Sequence, residues 1–170
     1  MKASKLVKAS LVAGRVSKPP LMTSTAEPFA PKMTAGEIAA FLQREFPQLS
    51  EGGVSLMDLV SVGPMSAVVR LKAHQRNLRP GGTISGPAMF ALADVALYVA
   101  ILAQIGPVGL AVTTNLNINF LLKPPLGDLV GQARLFKLGK RLAVGEVFIR
   151  ALGETAPVAH ATGTYSIPPR

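Results

Sequence analysis

Residues 79–94 read RPGGTISGPAMFALAD, and the apolar run continues from Pro87 to Ile105 as PAMFALADVALYVAILAQI. Asp94 is the only charge in those nineteen residues. The run is long enough to cross a bilayer. A carboxylate near the middle of such a span costs about 2.5–3.5 kcal/mol on an insertion scale, and β-like segments follow directly. A helix apolar on every side is equally stable when protein encloses it. A strongly curved antiparallel sheet wrapped around one helix provides that enclosure. The expected fold class is therefore α+β, with one long central α-helix inside a curved antiparallel β-sheet and no membrane insertion.

The flanking sequence supplies the strands. Upstream, TAGE at 34–37 is a capping box, and Ile38, Phe41, Leu42 and Phe46 repeat at helical spacing before Pro47. GGVSLMDLVSVGP then breaks that period and reads as a strand with an irregularity near Asp58, joined through Gly63-Pro64 to a second strand in PMSAVVRLKA. Downstream, VGLAVTTNLNINFLL alternates, with Val112, Thr114, Leu116, Ile118 and Phe120 on one face and Thr113, Asn115, Asn117 and Asn119 on the other. Residues 128–152 read as a hairpin around Leu138-Gly139-Lys140, and PVAHATGTYSIP as the last strand. The expected order is helix, two strands, long helix, four strands.

Composition narrows the chemistry. The 170 residues suit one domain and include no cysteine, which removes disulfides, thiolate nucleophiles and cysteine-bound metal together. With two histidines, His74 and His160, no histidine-cluster metal site is expected, and neither residue has an acid–nucleophile pattern around it. The net charge of +9 resembles a nucleic-acid footprint until it is divided. Residues 1–33 hold six basic residues against Glu27, a balance of +5, so the rest of the chain carries only +4. That segment is rich in Ser, Thr, Ala and Pro and lacks periodicity, as expected of a disordered basic N-terminal tail before a domain at 34–170. It also lacks an apolar core of signal-peptide length. The expected compartment is the cytoplasm, and no nucleic-acid partner is implied.

Three blocks in order, GGTISGPAMFALAD, LAVTTNLNINFLLKPPLGD and FKLGKRLAVGEVFI, resemble the hotdog-fold acyl-CoA thioesterases of the phenylacetate-degradation type. The resemblance spans about residues 52–168. That family opens its central helix with Gly-Thr-x-His-Gly-Gly and places an acid eight residues past the first glycine after the histidine. Here the entrance is Gly82-Thr83-Ile84-Ser85-Gly86-Pro87, and eight residues after Gly86 stands Asp94. Serine replaces the histidine, and proline replaces the second glycine. Ser85 suits the helix N-cap and Pro87 the first turn.

The resemblance implies hydrolysis of an acyl-CoA thioester to a carboxylate and free coenzyme A. Asp94 would be nucleophile or general base, and the Gly86 amide would polarise the carbonyl. It implies no cofactor or metal, coenzyme A being part of the substrate. Thr113 occupies the place of a Ser or Thr that holds the attacking water or carboxylate. Asn77 resembles an asparagine that orients the carbonyl, although it lies eight positions before Ser85 where six is usual and Arg79 stands. Asn115 is a candidate for the pantetheine arm. Lys137, Lys140 and Arg141 are candidates for the nucleotide phosphates, with Ser85 and Arg79 as further substrate contacts. A non-catalytic acyl-CoA binder on the same fold is the alternative; a hotdog dehydratase lacks its histidine–acid pair.

One length decides the assembly. Eight residues of helix span roughly 12 Å, so Gly86 and Asp94 of one chain cannot share a carbonyl. Antiparallel helices across a twofold axis would bring Gly86 of one chain to Asp94 of another. A homodimer, or a homotetramer built as a dimer of dimers, is therefore expected.

Overall fold

The computed structural model describes residues 30–52 and 54–169. The expectation of a basic tail falls largely outside them. At its end, the Lys32 and Met33 amides both donate to the Ala103 carbonyl of the long helix.

Helix α1 (Ala35–Glu45) starts with the capping box read from the sequence: Thr34 Oγ1 accepts from the Glu37 amide while Glu37 returns to the Thr34 amide. It buries Ile38, Phe41 and Leu42. Six strands form one antiparallel sheet: β1 (Met57–Gly63), β2 (Ser66–Leu71), β3 (Val112–Phe120), β4 (Leu129–Leu138), β5 (Leu142–Ala151) and β6 (Pro157–Ser166), in the order β1-β2-β4-β5-β6-β3. Helix α2 (Gly86–Ile105) precedes β3 and packs on β1 to β6, with α1 over its C-terminal half. Two ladders of paired dipeptides, Ser50–Glu51 with Val54–Ser55 and Leu78–Arg79 with Thr83–Ile84, brace the loops.

Among the described residues α2 alone is long and apolar enough to span a membrane, and 78% of its most apolar window is buried by the protein itself. From Ala96 to Ile105 every residue is buried. The turn out of α2 needs a backbone that side-chain-bearing residues resist: Gly106 has φ of +93° while its amide closes on Leu102.

Sheet and helix approach closely because glycines lie beneath the helix. A Cβ at Gly163 would sit 2.6 Å from Leu97 Cδ1, and one at Gly145 would sit 2.9 Å from Leu97 Cδ2 and 2.6 Å from the Arg134 carbonyl oxygen. The two glycines are paired across β5 and β6, so Leu97, itself 1% exposed, fills the depression they leave.

The six-strand plan follows the sequence, but two local details differ. The irregularity expected near Asp58 falls at Val60, between the Leu59 and Ser61 pairings with β2. On β3 the strict alternation breaks at Thr114. Thr164 pairs with Asn115 and Tyr165 with Thr113, leaving Thr114 as the extra residue, its hydroxyl bonded to the Thr164 carbonyl. One inserted residue reverses the facing of everything before it. Leu116 and Ile118 pack into the core, Thr113 joins them on the helix side, and Val112 is left 52% exposed.

Replacing Gly145 by alanine tests the close approach. The added methyl meets backbone rather than a movable side-chain end, so overpacking should cost about 1–3 kcal/mol. The measurement is the denaturation midpoint, which an Ala variant at Gly139, whose nearest neighbouring atom would be 3.4 Å away, should lower much less.

Candidate active site

Asp94 lies on α2 where the helix is only partly covered, between fully buried Ala93 and Ala96. Two hydroxyls converge on its Oδ1: Thr113 Oγ1 donates at 2.6 Å and the Tyr165 hydroxyl lies at 2.6 Å. The same Tyr165 hydroxyl is 2.8 Å from the Asp94 backbone carbonyl. The β3 bulge is what turns Thr113 toward the helix. Tyr165 arrives from β6 on the face that carries Ala161 and Gly163, and is 2% exposed.

Sequence reading missed Tyr165. Its signal was available in the alternation of β6, which places it inward with Ala161 and Gly163, and in its being one of only two tyrosines. The other, Tyr98, stacks on it at 6.3 Å and donates to the Gly109 carbonyl. Burial, then the charge of Asp94, pushes the Tyr165 phenol far above its ordinary range. Burial, then the Glu45 carboxylate, pushes Tyr98 up to about 12. Tyr165 is thus held protonated, as a hydrogen-bonding phenol beside the carboxylate.

The entrance of α2 forms a separate cluster. Ser85 caps the helix by accepting from the Ala88 amide at 3.3 Å, and Pro87 fills the first turn. The Ser85 amide donates to the Asn77 carbonyl at 2.8 Å, and buried Asn77 in turn donates from its side chain to the Lys72 carbonyl. Asn77 therefore braces the helix entrance despite its unusual spacing. Thr83 ties the bend to the following loop through the Pro124 carbonyl at 2.7 Å. Gly86 lies against the far end of β3, where an added Cβ would be 3.2 Å from the Phe120 ring. Arg79, Gly86, Met89, Phe120 and Lys123 line a groove of about 380 Å³ there.

The two clusters stay apart within one chain: Asp94 is bonded at Thr113, near the start of β3, and Gly86 packs at Phe120, its last residue. Lys137, Lys140 and Arg141 are exposed around the β4–β5 turn. That turn lies at the Asp94 end of the sheet, since Ala143 and Leu142 pair with Tyr165 and Ser166. Asn115 is exposed on β3, beside the Thr114 bulge.

The histidines lie apart from the Asp94 cluster. His160 meets Glu146 at 3.0 Å, with Arg134 on the other carboxylate oxygen at 3.3 Å. Strand pairing brings them together on the face opposite α2, away from Asp94, because His160 alternates with inward Ala159 and Ala161. His74 caps a short turn by accepting from the Arg76 amide.

Residues 81–158 match the model of the Thioesterase superfamily. A Pseudomonas aeruginosa protein named "Putative esterase PA0474" is 33% identical over 102 residues, covering 59% of this chain and 75% of that protein. A solved "putative thioesterase" from Silicibacter sp. TM1040 is 44% identical, with a TM-score of 0.74 over 84% of this chain and 97% of the other. A variant of the phenylacetic acid degradation protein PaaI from Thermus thermophilus is 25% identical, with a TM-score of 0.58 over 66% and 93%. A sheet-wrapped helix of this kind is the hotdog fold, and the relatives place the chain among the thioester hydrolases that use it. The chain belongs to the thioesterase superfamily, and hydrolysis of acyl thioesters is its general activity.

The tyrosines give a pH signature. Both folded pKa values lie above the unfolded value of about 10. Their contribution to stability is therefore complete below about pH 10 and is lost as pH rises through the folded values. Stability measured by denaturant should fall from about pH 10 upward, less steeply in Tyr165→Phe. Native phenolate absorbance should lag behind that of the unfolded chain.

Proposed function

We propose that the chain hydrolyses acyl-CoA thioesters, with Asp94 as the acid–base or nucleophilic group and the Gly86 amide of a second copy polarising the carbonyl. The observation that carries this reading is the pair of short hydrogen bonds from Thr113 and Tyr165 to one oxygen, Oδ1. They fix the rotamer of the carboxylate and leave Oδ2 as the oxygen for chemistry. As general base, Oδ2 takes a proton from water, the water oxygen bonds to the acyl carbon, and the carbon–sulfur bond breaks. The thiolate then leaves and is protonated. As nucleophile, Oδ2 itself forms the new bond, giving a mixed anhydride that water then opens.

The developing oxyanion needs donors. Gly86 stands at the start of α2, where amides lack intrahelical acceptors and the dipole favours negative charge. Pro87 removes one neighbouring amide, which concentrates this role on Gly86. Separation of Asp94 and Gly86 along β3 supports pairing of two chains with their α2 helices antiparallel, each chain completing the other's site. Exposed Lys137, Lys140 and Arg141 at the Asp94 end of the sheet favour coenzyme A as the thiol, through its phosphates.

Asp94→Asn should lower acyl-CoA turnover at least about 100-fold with the fold intact, measured by free-thiol release over an acyl-CoA panel. Near-normal turnover would remove Asp94 from the mechanism. Single turnover in heavy-oxygen water tests the nucleophilic route: label in Asp94 demonstrates an anhydride opened by water at the aspartyl carbon, an outcome that general-base catalysis does not give.

Complementation tests the shared site. A heterodimer of Asp94→Asn with a chain carrying a bulky residue at Gly86 should regain about half of wild-type activity, since one of its two sites is whole. Activity no higher than that of the parent homodimers would place each site within one chain.

A further inference from the structure

A groove of about 620 Å³ runs between α1 and β1 beside α2, and the chemistry at Asp94 leaves it unused. Gly36, Ala39 and Ala40 line it from α1, Met57 from β1, and Val95 from α2. Val95 is the residue after Asp94. A second connection runs through rings: Phe46, also in the groove wall, meets Tyr98 edge-on at 5.5 Å, Tyr98 stacks on Tyr165, and Tyr165 holds Asp94.

The first turns of α1 line the groove with small residues, Gly36, Ala39 and Ala40, on an exposed helix face, and Leu42 and Gln43 follow. A Cβ added at Gly36 meets nothing within 4 Å, and glycine inside a helix is itself unfavourable. Small residues here keep a concavity open. The groove also avoids presenting an uncompensated charge, because its one carboxylate, Asp58, is paired with Lys72 at 2.9 Å.

We infer that this groove receives the acyl chain of the substrate, and that it selects a medium-length or longer aliphatic chain over acetyl. The inference rests on the reading of Asp94 as the reacting carboxylate. The groove has the volume of a small-molecule site, within the usual span of about 300–1,000 Å³, whereas an acetyl group leaves nearly all of it empty. Each methylene that enters contributes up to about fourfold in specificity, until the chain reaches the end of the groove. Leu42, Phe46, Leu49, Met57, Leu59 and Val95 give its walls aliphatic and ring carbon for a hydrocarbon, beside polar Gln43, Ser50 and Ser55.

The test is kcat/KM for acetyl-, butyryl-, octanoyl- and palmitoyl-CoA with the wild type, Ala39→Phe and Gly36→Leu. Both substitutions fill the groove from an exposed helix face, and melting temperature confirms folding of each. The wild type should favour octanoyl over acetyl. Either filled variant should lower the octanoyl-to-acetyl ratio at least about tenfold, the range expected when a hydrophobic pocket loses its fit. An unchanged ratio, whether both rates persist or both fall together, overturns the assignment. A variant that loses its dimer on gel filtration while keeping its ratio assigns the face to a second copy instead. A wild type that cleaves none of the panel overturns the acyl-CoA reading, and this inference with it.

Discussion

An α-helix with no polar face must be surrounded, and that requirement organises the molecule. Water cannot cover α2, and no single neighbouring element is broad enough to do so. The sheet therefore curves around it and α1 closes over its second half. Close approach then imposes its own demand: where Leu97 presses into the sheet, β5 and β6 can carry only glycine. Enclosure is complete from Ala96 onward and incomplete before it. The carboxylate sits on the incompletely enclosed stretch, where a buried helix can still offer a charged group to a small molecule.

Much of this was legible in the chain because it rests on local chemistry. Thr34 and Glu37 signal a helix start without reference to anything distant, and the length and apolarity of 87–105 demand enclosure whatever encloses it. Six strands were readable from alternation and turn residues. The bulges were not, because an inserted residue is recognised only when the partner strand is known. Thr114 looks like any other member of an alternating run, yet its extra place turns Thr113 toward Asp94.

The site divides in the same way. Asp94 and Gly86 stand out through spacing and charge within a short segment. Tyr165 lies seventy-one positions from Asp94, and nothing local marks it as a partner. Asn77 is the intermediate case: its spacing from Ser85 was irregular, yet its carbonyl reaches the Ser85 amide because the intervening residues fold back as a short ladder. The pairing of Glu146 with His160 was hidden for the same reason as Tyr165, since only strand register brings them together.

The two edges of the sheet are guarded very differently. β1 carries Asp58 and a bulge at Val60, both of which discourage another strand from pairing there. β3, nine residues reading VTTNLNINF, has its own bulge at Thr114 but no charge and no proline along its open side. From Asn115 onward, past the bulge, such an edge invites main-chain pairing of any kind, including the indiscriminate kind that leads to precipitation. For a newly made chain, whatever covers that edge would therefore also act as a guard against precipitation.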